Sequence, residues 1–248
     1  MDRERFDNAC KKILGQPHRR TGIGTYSEKT VHAVLKKYFE PFEDSHERKS
    51  GDFIADIVGE NGIMEIQTAG FNRLRKKLEA FLSVSRVTVV YPIPYQKWLI
   101  SISEKTGELG KRRKSPKTGS VYEAFAELYK IKPYLTHKNF SFCIMLIDME
   151  EYRCAPEKTG LRRGRRKGFM RCERIPLALV DEIHIRSIED WQDLIPGNIG
   201  NEFTSKELSE CAGVSLSSAR LALNIFYEVG AVKKLGKRGN SIVYCLSH

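Results

Sequence analysis

Residues 52–67, DFIADIVGENGIMEIQ, constrain this chain more than any other segment. Asn61-Gly62 between two apolar runs is the strongest short hairpin signal and predicts a type I′ turn. A two-residue turn fixes the register. It pairs Glu60 with Ile63, Val58 with Glu65 and Asp56 with Gln67. Side chains alternate along a strand, so Asp56, Val58, Glu65 and Gln67 share one face. Ile57, Met64 and Ile66 take the other face, which reads as core. Asp56 and Glu65 become diagonal neighbours, about 7–8 Å apart at the backbone.

Two carboxylates amid apolar strands are unfavourable unless something neutralises them. Mg²⁺ does so readily, being held by one or two carboxylates together with waters and phosphate oxygens. The competing reading is a solvated sheet face, where Asp and Glu cost little. Asp52 lies on the same strand face, about 13 Å from Asp56 at strand rise, and reads as a strand-start residue.

The flanking segments are helical. From Ser27, an N-cap candidate, EKTVHAVLKKYFE carries Val31, Val34, Leu35, Tyr38 and Phe39 as an apolar stripe. Glu28, His32, Leu35 and Phe39 follow helical spacing, which turns Glu28 toward that stripe. A first-turn carboxylate is also favoured by the helix dipole alone. His32 reads as a core-edge or solvated histidine. After the hairpin, FNRLRKKLEAFL buries Phe71, Leu74, Leu78, Phe81 and Leu82 and exposes Arg73, Arg75, Lys76 and Lys77. A strand with VTVVYPIP and another with KWLISI are expected next.

This order, with acids on the first helix and on both hairpin strands, resembles the PD-(D/E)XK nuclease superfamily over about residues 22–100. The resemblance implies an α/β fold, a restriction-endonuclease-like mixed sheet flanked by helices. It assigns the helix glutamate to Glu28, the aspartate to Asp56 and the E-x-K pair to Glu65-Ile66-Gln67. Glutamine stands where that family usually has lysine. An amide still hydrogen-bonds a water, and the missing charge is sought at Arg75 or Lys76. The resemblance implies that Asp56, Glu65 and the Ile66 carbonyl hold Mg²⁺ or Mn²⁺, that Glu28 serves a second metal or its water, and that Gln67 positions the nucleophile for phosphodiester hydrolysis.

The C-terminal segment has its own pattern. Thr204 to Glu207 is a capping box. Ser215 caps a second helix carrying Ala219, Leu223 and Phe226, and Gly230 ends it. AVKKL and SIVYCL bracket a GKRGN turn. Helix, turn, helix and hairpin resemble a winged helix. That resemblance implies base or phosphate contacts from Ser217, Ser218 and Arg220, and phosphate contacts from Lys237 and Arg238. Six basic residues (Lys206, Arg220, Lys233, Lys234, Lys237, Arg238) face three acids (Glu207, Glu210, Glu228), a balance of +3. A winged helix that contacts protein is the competing reading.

Charge agrees with a nucleic-acid partner. The 248 residues carry a formal net charge of +11, and such an excess favours an anionic partner. Lys105–Ser120, with Arg112 and Arg113, and Pro156–Gly168, with Arg162, Arg163, Arg165 and Arg166, read as exposed basic loops. The flanks lack the amphipathic pattern of a membrane-lying helix, and the charged N-terminus predicts no signal peptide. Six scattered cysteines without a CxxC pair predict reduced thiols in a cytoplasm. Cys154 and Cys172, with His184 nearby, lack zinc-ligand spacing.

The expected organisation is a nuclease-like domain over 1–196, a Pro196-Gly197-Asn198 linker, and a winged-helix domain over 199–248. The expected function is metal-dependent DNA cleavage, with DNA favoured over RNA and no membrane role. Nucleases of this kind often pair, so a homodimer is compatible. Two alternatives stand beside it: an inactive nuclease-fold regulator that binds nucleic acid, motivated by Gln67, and a ribonuclease on the same core.

Overall fold

The computed structural model describes residues 1–15, 29–103, 106–154 and 170–247. The fold is mixed α/β. Helices α1 (Arg3–Leu14) and α2 (Lys29–Phe39) precede strands β1 (His46–Ser50), β2 (Phe53–Gly59) and β3 (Gly62–Ile66). Helix α3 (Arg75–Val84), strands β4 (Val87–Ile102) and β5 (Arg113–Thr118), and a short helix α4 (Phe125–Leu128) within a run of 3₁₀ turns follow. Strands β6 (Phe140–Cys154) and β7 (Met170–Ile185) lead to α5 (Ile188–Gln192), α6 (Ser205–Ala212), α7 (Leu216–Glu228) and the ribbon β8 (Val232–Arg238) and β9 (Ser241–Leu246). One mixed sheet runs in the order β1-β2-β3-β4-β6-β7, with β5 paired to β4.

Two compact units share the chain. The first holds Met1–Glu43, Pro94–Gly119 and Met145–Glu182; the second holds Asp44–Ile93, Ser120–Ile144 and Ile183–His248. In the first unit, α2 buries Val31, Val34, Leu35 and Tyr38, the stripe its periodicity predicts, while Phe39 is half-buried. The Tyr38 ring meets Phe6 of α1 edge-on at 5.7 Å, and its hydroxyl donates to Glu182. Burial first, then that carboxylate, raise the Tyr38 hydroxyl pKa.

The strands correct three expectations. VTVVYPIP and KWLISI form one strand, β4. Pro92 and Pro94 lack amide donors, but they fall between the last β3 bond, Gln67 N–H to the Val90 carbonyl, and the first β5 pair, Gln96–Thr118. The KRRK segment is not wholly a loop. Arg113–Thr118 pairs antiparallel with β4, and the buried Gln96 amide donates to the Ser115 carbonyl at 2.9 Å. Finally, Cys154 and Cys172 are not free thiols. They form a disulfide with Cα atoms 6.1 Å apart, because neighbouring strands β6 and β7 bring them within bridging range despite 18 residues of separation.

In the second unit, β3 and β4 are parallel, pairing Ile63 with Val87 through Ile66 with Val90. The crossover is α3, as a parallel connection requires. Phe81 and Leu78 of α3 are buried, and Phe81 meets Phe53 edge-on. The C-terminal elements pack into this same unit. Phe226 of α7 lies 5.0 Å from the Phe125 ring, and Trp191 of α5 lies 6.4 Å from it. Gln192 donates to the Ala231 and Ser247 carbonyls. Thr204 and Glu207 close the expected capping box, and Ser215 caps α7 through the Ser218 amide.

Candidate functional site

The β2–β3 hairpin forms, with its turn one residue earlier than Asn61-Gly62. Gly59 pairs with Gly62, Val58 with Ile63 and Ile57 with Met64, so Glu60 and Asn61 make the turn. The parallel partner overrides the local signal. Ile63 N–H bonds the Arg86 carbonyl at 2.8 Å, which holds Gly62 against the same peptide. Gly62 sits at φ +106°, and a Cβ there would lie 2.4 Å from the Arg86 oxygen. Gly62 is therefore consumed by β3 rather than by the turn.

The altered register tightens the acidic pair. One step past Ile57–Met64 sets Asp56 opposite Glu65, rather than diagonal to it. There the regular ladder gives way to side chains. Asp56 Oδ2 accepts the Ile66 amide at 2.8 Å, and Glu65 Oε1 accepts the Asp56 amide at 3.3 Å. Each carboxylate thus takes a backbone donor from the opposite strand. Glu65 is 2 % exposed, and Asp56 is half-buried.

A cation completes the pair. Lys77 Nζ lies 2.8 Å from Glu65 Oε2. Even so, burial, then the Asp56 carboxylate, push the Glu65 pKa up to about 7, against the opposing pull of Lys77. Arg75 and Lys76, where the compensating charge was expected, are exposed. Sequence reasoning placed Lys77 on the exposed face. Its spacing held the signal: it lies three residues after Leu74 and four before Phe81, both buried.

The backbone adds an oxygen. In a strand, a residue's N–H and C=O point to the same edge. Ile66 N–H points at Asp56, while the next amide, of Gln67, turns to Val90. The Ile66 carbonyl therefore emerges beside Asp56. Gln67 follows directly and is half-buried. Two carboxylates, one raised in pKa, and an adjacent carbonyl make an all-oxygen donor set suited to a hard divalent cation. Glu28 and Ser27 lie outside the described residues.

The expected nucleic-acid residues divide by environment. Arg112 is held: its Nε donates to Glu150 at 2.6 Å, and its guanidinium stacks 4.6 Å over Trp98. Arg113 is exposed. Arg162, Arg163, Arg165 and Arg166 lie outside the described residues. On α7, Ser217 and Arg220 are exposed and Ser218 half-buried, with both serine hydroxyls 2.9 Å from that of Ser215. Lys237 is exposed at the β8–β9 tip, whereas Arg238 pairs with Glu207 at 2.9 Å. No helix among the described residues is long and apolar enough to cross a membrane.

Comparison with known proteins places the chain. An uncharacterized protein of Treponema pallidum (strain Nichols) is 28% identical over 229 residues, covering 90% of this chain and 86% of that one. No solved structure matches. Residues 29–186 match a family described as a domain of unknown function, DUF8091. That span holds Asp56, Glu65, Gln67 and Lys77 and stops before α6. It covers more than half of the chain, which therefore belongs to the DUF8091 family.

Proposed function

We propose that this protein is a metal-dependent nuclease of the PD-(D/E)XK type, with a restriction-endonuclease-like core and a C-terminal winged helix that binds DNA. The observation that carries the proposal is the reciprocal pairing of Asp56 and Glu65. Two facing carboxylates, one buried, displace the strand ladder at the point where the hairpin opens. Such a pair is electrostatically unfavourable alone, and burial first, then the Asp56 charge, raise the Glu65 pKa. The element order α2, β2, β3, α3, β4, with β3 and β4 parallel across α3, supports the same reading.

The residues then have distinct tasks. Asp56, Glu65 and the Ile66 carbonyl hold Mg²⁺ or Mn²⁺. A cation bound there lowers the pKa of a water and offsets charge on the phosphate. Gln67 orients the attacking water through its amide. Lys77 supplies the positive charge that glutamine lacks, and it favours the ionised form of Glu65 that metal binding needs. The α6–α7 pair and the β8–β9 ribbon hold the DNA through Ser217, Arg220 and Lys237.

One observation favours a second reading. Lys77 already neutralises Glu65 in part, as a permanent countercharge would in a protein that binds nucleic acid without cutting it. The two readings separate in one assay. Labelled single-stranded, duplex and branched DNA, and RNA, are incubated with Mg²⁺ or Mn²⁺ beside the Asp56→Ala variant. The nuclease reading expects metal-dependent cutting that the variant loses, and the substrate cut distinguishes DNA from RNA. Binding without cutting on every substrate selects the regulator.

A further inference from the structure

The KRRK segment contributes to a cavity that the carboxylate pair does not use. Its volume is about 280 Å³, and Leu99, Ile100, Ser101, Lys111, Arg113 and Arg153 line it. Three of these six are cationic, and among the described residues no acid joins the lining. The motif splits between two environments where the chain enters β5. Arg113 pairs with Leu99 across the ladder, while Arg112 turns away to Glu150 and Trp98. Lys111, two residues before Arg113, returns to the cavity. Neither Lys111 nor Arg113 makes an ion pair among the described residues.

The opposite wall is fixed. Glu151 is 3 % exposed and accepts from Arg153 Nε at 2.7 Å and from Arg174 Nε at 3.0 Å. Burial raises the Glu151 pKa, but the Arg174 charge and the hydrogen bonds from both arginines outweigh it and leave it below the usual carboxylate value. A buried, ionised clamp thus holds the Arg153 guanidinium in place before any ligand arrives. Gly110 lets the chain leading to Lys111 run close to Ser101. Its amide bonds the Ser101 carbonyl at 2.8 Å, and a Cβ there would stand 2.2 Å from the Ser101 hydroxyl oxygen.

We propose that this cavity binds a phosphate monoester, with Lys111, Arg113 and Arg153 contacting the phosphate, Ser101 donating its hydroxyl, and Leu99 packing against the attached sugar. Lys111 and Arg113, two cations without a protein counter-anion beside an Arg153 already paired with Glu151, create a local positive potential that an anion relieves. Guanidinium groups match phosphate oxygens in pairs, and a preset arginine loses little freedom on binding. The volume falls just below the roughly 300–1,000 Å³ typical of ligand pockets, suited to a phosphate with its sugar rather than to a duplex. The same chemistry is offered by a free nucleotide and by the phosphorylated end of a strand. The proposal does not depend on cleavage.

The test is binding by the full chain in EDTA. Fluorescent hexathymidylates carrying a 5′-phosphate, a 3′-phosphate or no terminal phosphate are titrated, with AMP as competitor. One phosphorylated form is expected to bind about tenfold more tightly than the unphosphorylated one, the order of a single charge-assisted hydrogen bond. That advantage falls below about twofold in Lys111→Ala and in Arg113→Ala, and it survives in Lys114→Ala, a neighbour outside the lining. Competition by AMP identifies a free nucleotide as sufficient, and its failure identifies the strand end. Equal binding of all three forms by the wild type overturns the proposal. So does an advantage that persists in both variants, or one that Lys114→Ala removes as fully.

Discussion

Replacing Glu65 by glutamine tests the electrostatic reasoning behind the site. Burial, then Asp56, raise the Glu65 pKa from its ordinary value of 4.5 to about 7. A raised folded-state value means that the folded protein holds the proton more tightly than the unfolded chain. The associated stability is complete below the unfolded value and is lost as pH climbs through about 7. A shift of that size corresponds to about 3 kcal/mol, at about 1.4 kcal/mol for each pKa unit. Glutamine mimics the protonated acid and carries no such penalty. In EDTA, Glu65→Gln should therefore match the wild type near pH 3.5, below the unfolded value, and exceed it at pH 8.5 by up to about 3 kcal/mol, or about 6–12 °C in Tm. Thermal unfolding followed by circular dichroism at the two pH values reads this directly. Adding Mn²⁺ at pH 8.5 should raise the wild type and leave the variant where it was. A variant less stable than the wild type at pH 8.5, or a gap equal at both pH values, would refute the argument. Glu65 would then be an ordinary ion-pair partner of Lys77 rather than a strained acid.

Other perturbations probe the neighbouring claims. Lys77→Met removes the group that opposes the rise in Glu65 pKa, so the acid limb of a cleavage pH–rate profile should move to higher pH; an unmoved limb detaches Lys77 from the chemistry. Phe226→Ala empties a fully buried position against Phe125 and should cost about 3–5 kcal/mol in urea unfolding; a loss under 1 kcal/mol would show that α7 does not depend on that packing. Lys237→Ala should weaken duplex binding and flatten its salt dependence by about one counterion. Arg238→Ala should do so less, because Glu207 already engages that side chain, and anisotropy titrations across a salt series compare the two.

Much of the architecture was legible wherever one local rule governed. The α2 stripe at Val31, Val34, Leu35 and Tyr38 is buried as its spacing predicts. The caps at Thr204 and Ser215 close as their residue types predict. Legibility failed where a distant partner decided. Nothing local in RKSPKT announces a strand; its charges sit on an edge, and pairing with β4 supplies the order. Nothing in the spacing of Cys154 and Cys172 announces a bridge, since the adjacency of β6 and β7 creates it.

The hairpin joins both lessons. Its residues announced a turn and a shared acidic face, and both exist. The register did not follow from the turn, because Gly62 serves two demands that conflict. As a turn centre it would free the Asn61-Gly62 pair to set the count. As the first residue of β3 it allows the approach to the Arg86 peptide that no side chain permits. The second demand draws on the whole parallel ladder from Ile63 to Ile66, whereas the first draws on one turn, so the ladder prevails. The shift that results moves Asp56 from a diagonal position to one opposite Glu65. That closer approach replaces ladder bonds by carboxylates and helps lift the Glu65 pKa to about 7. A glycine six residues from Asp56 and three from Glu65 thus sets the register that brings the two carboxylates opposite each other.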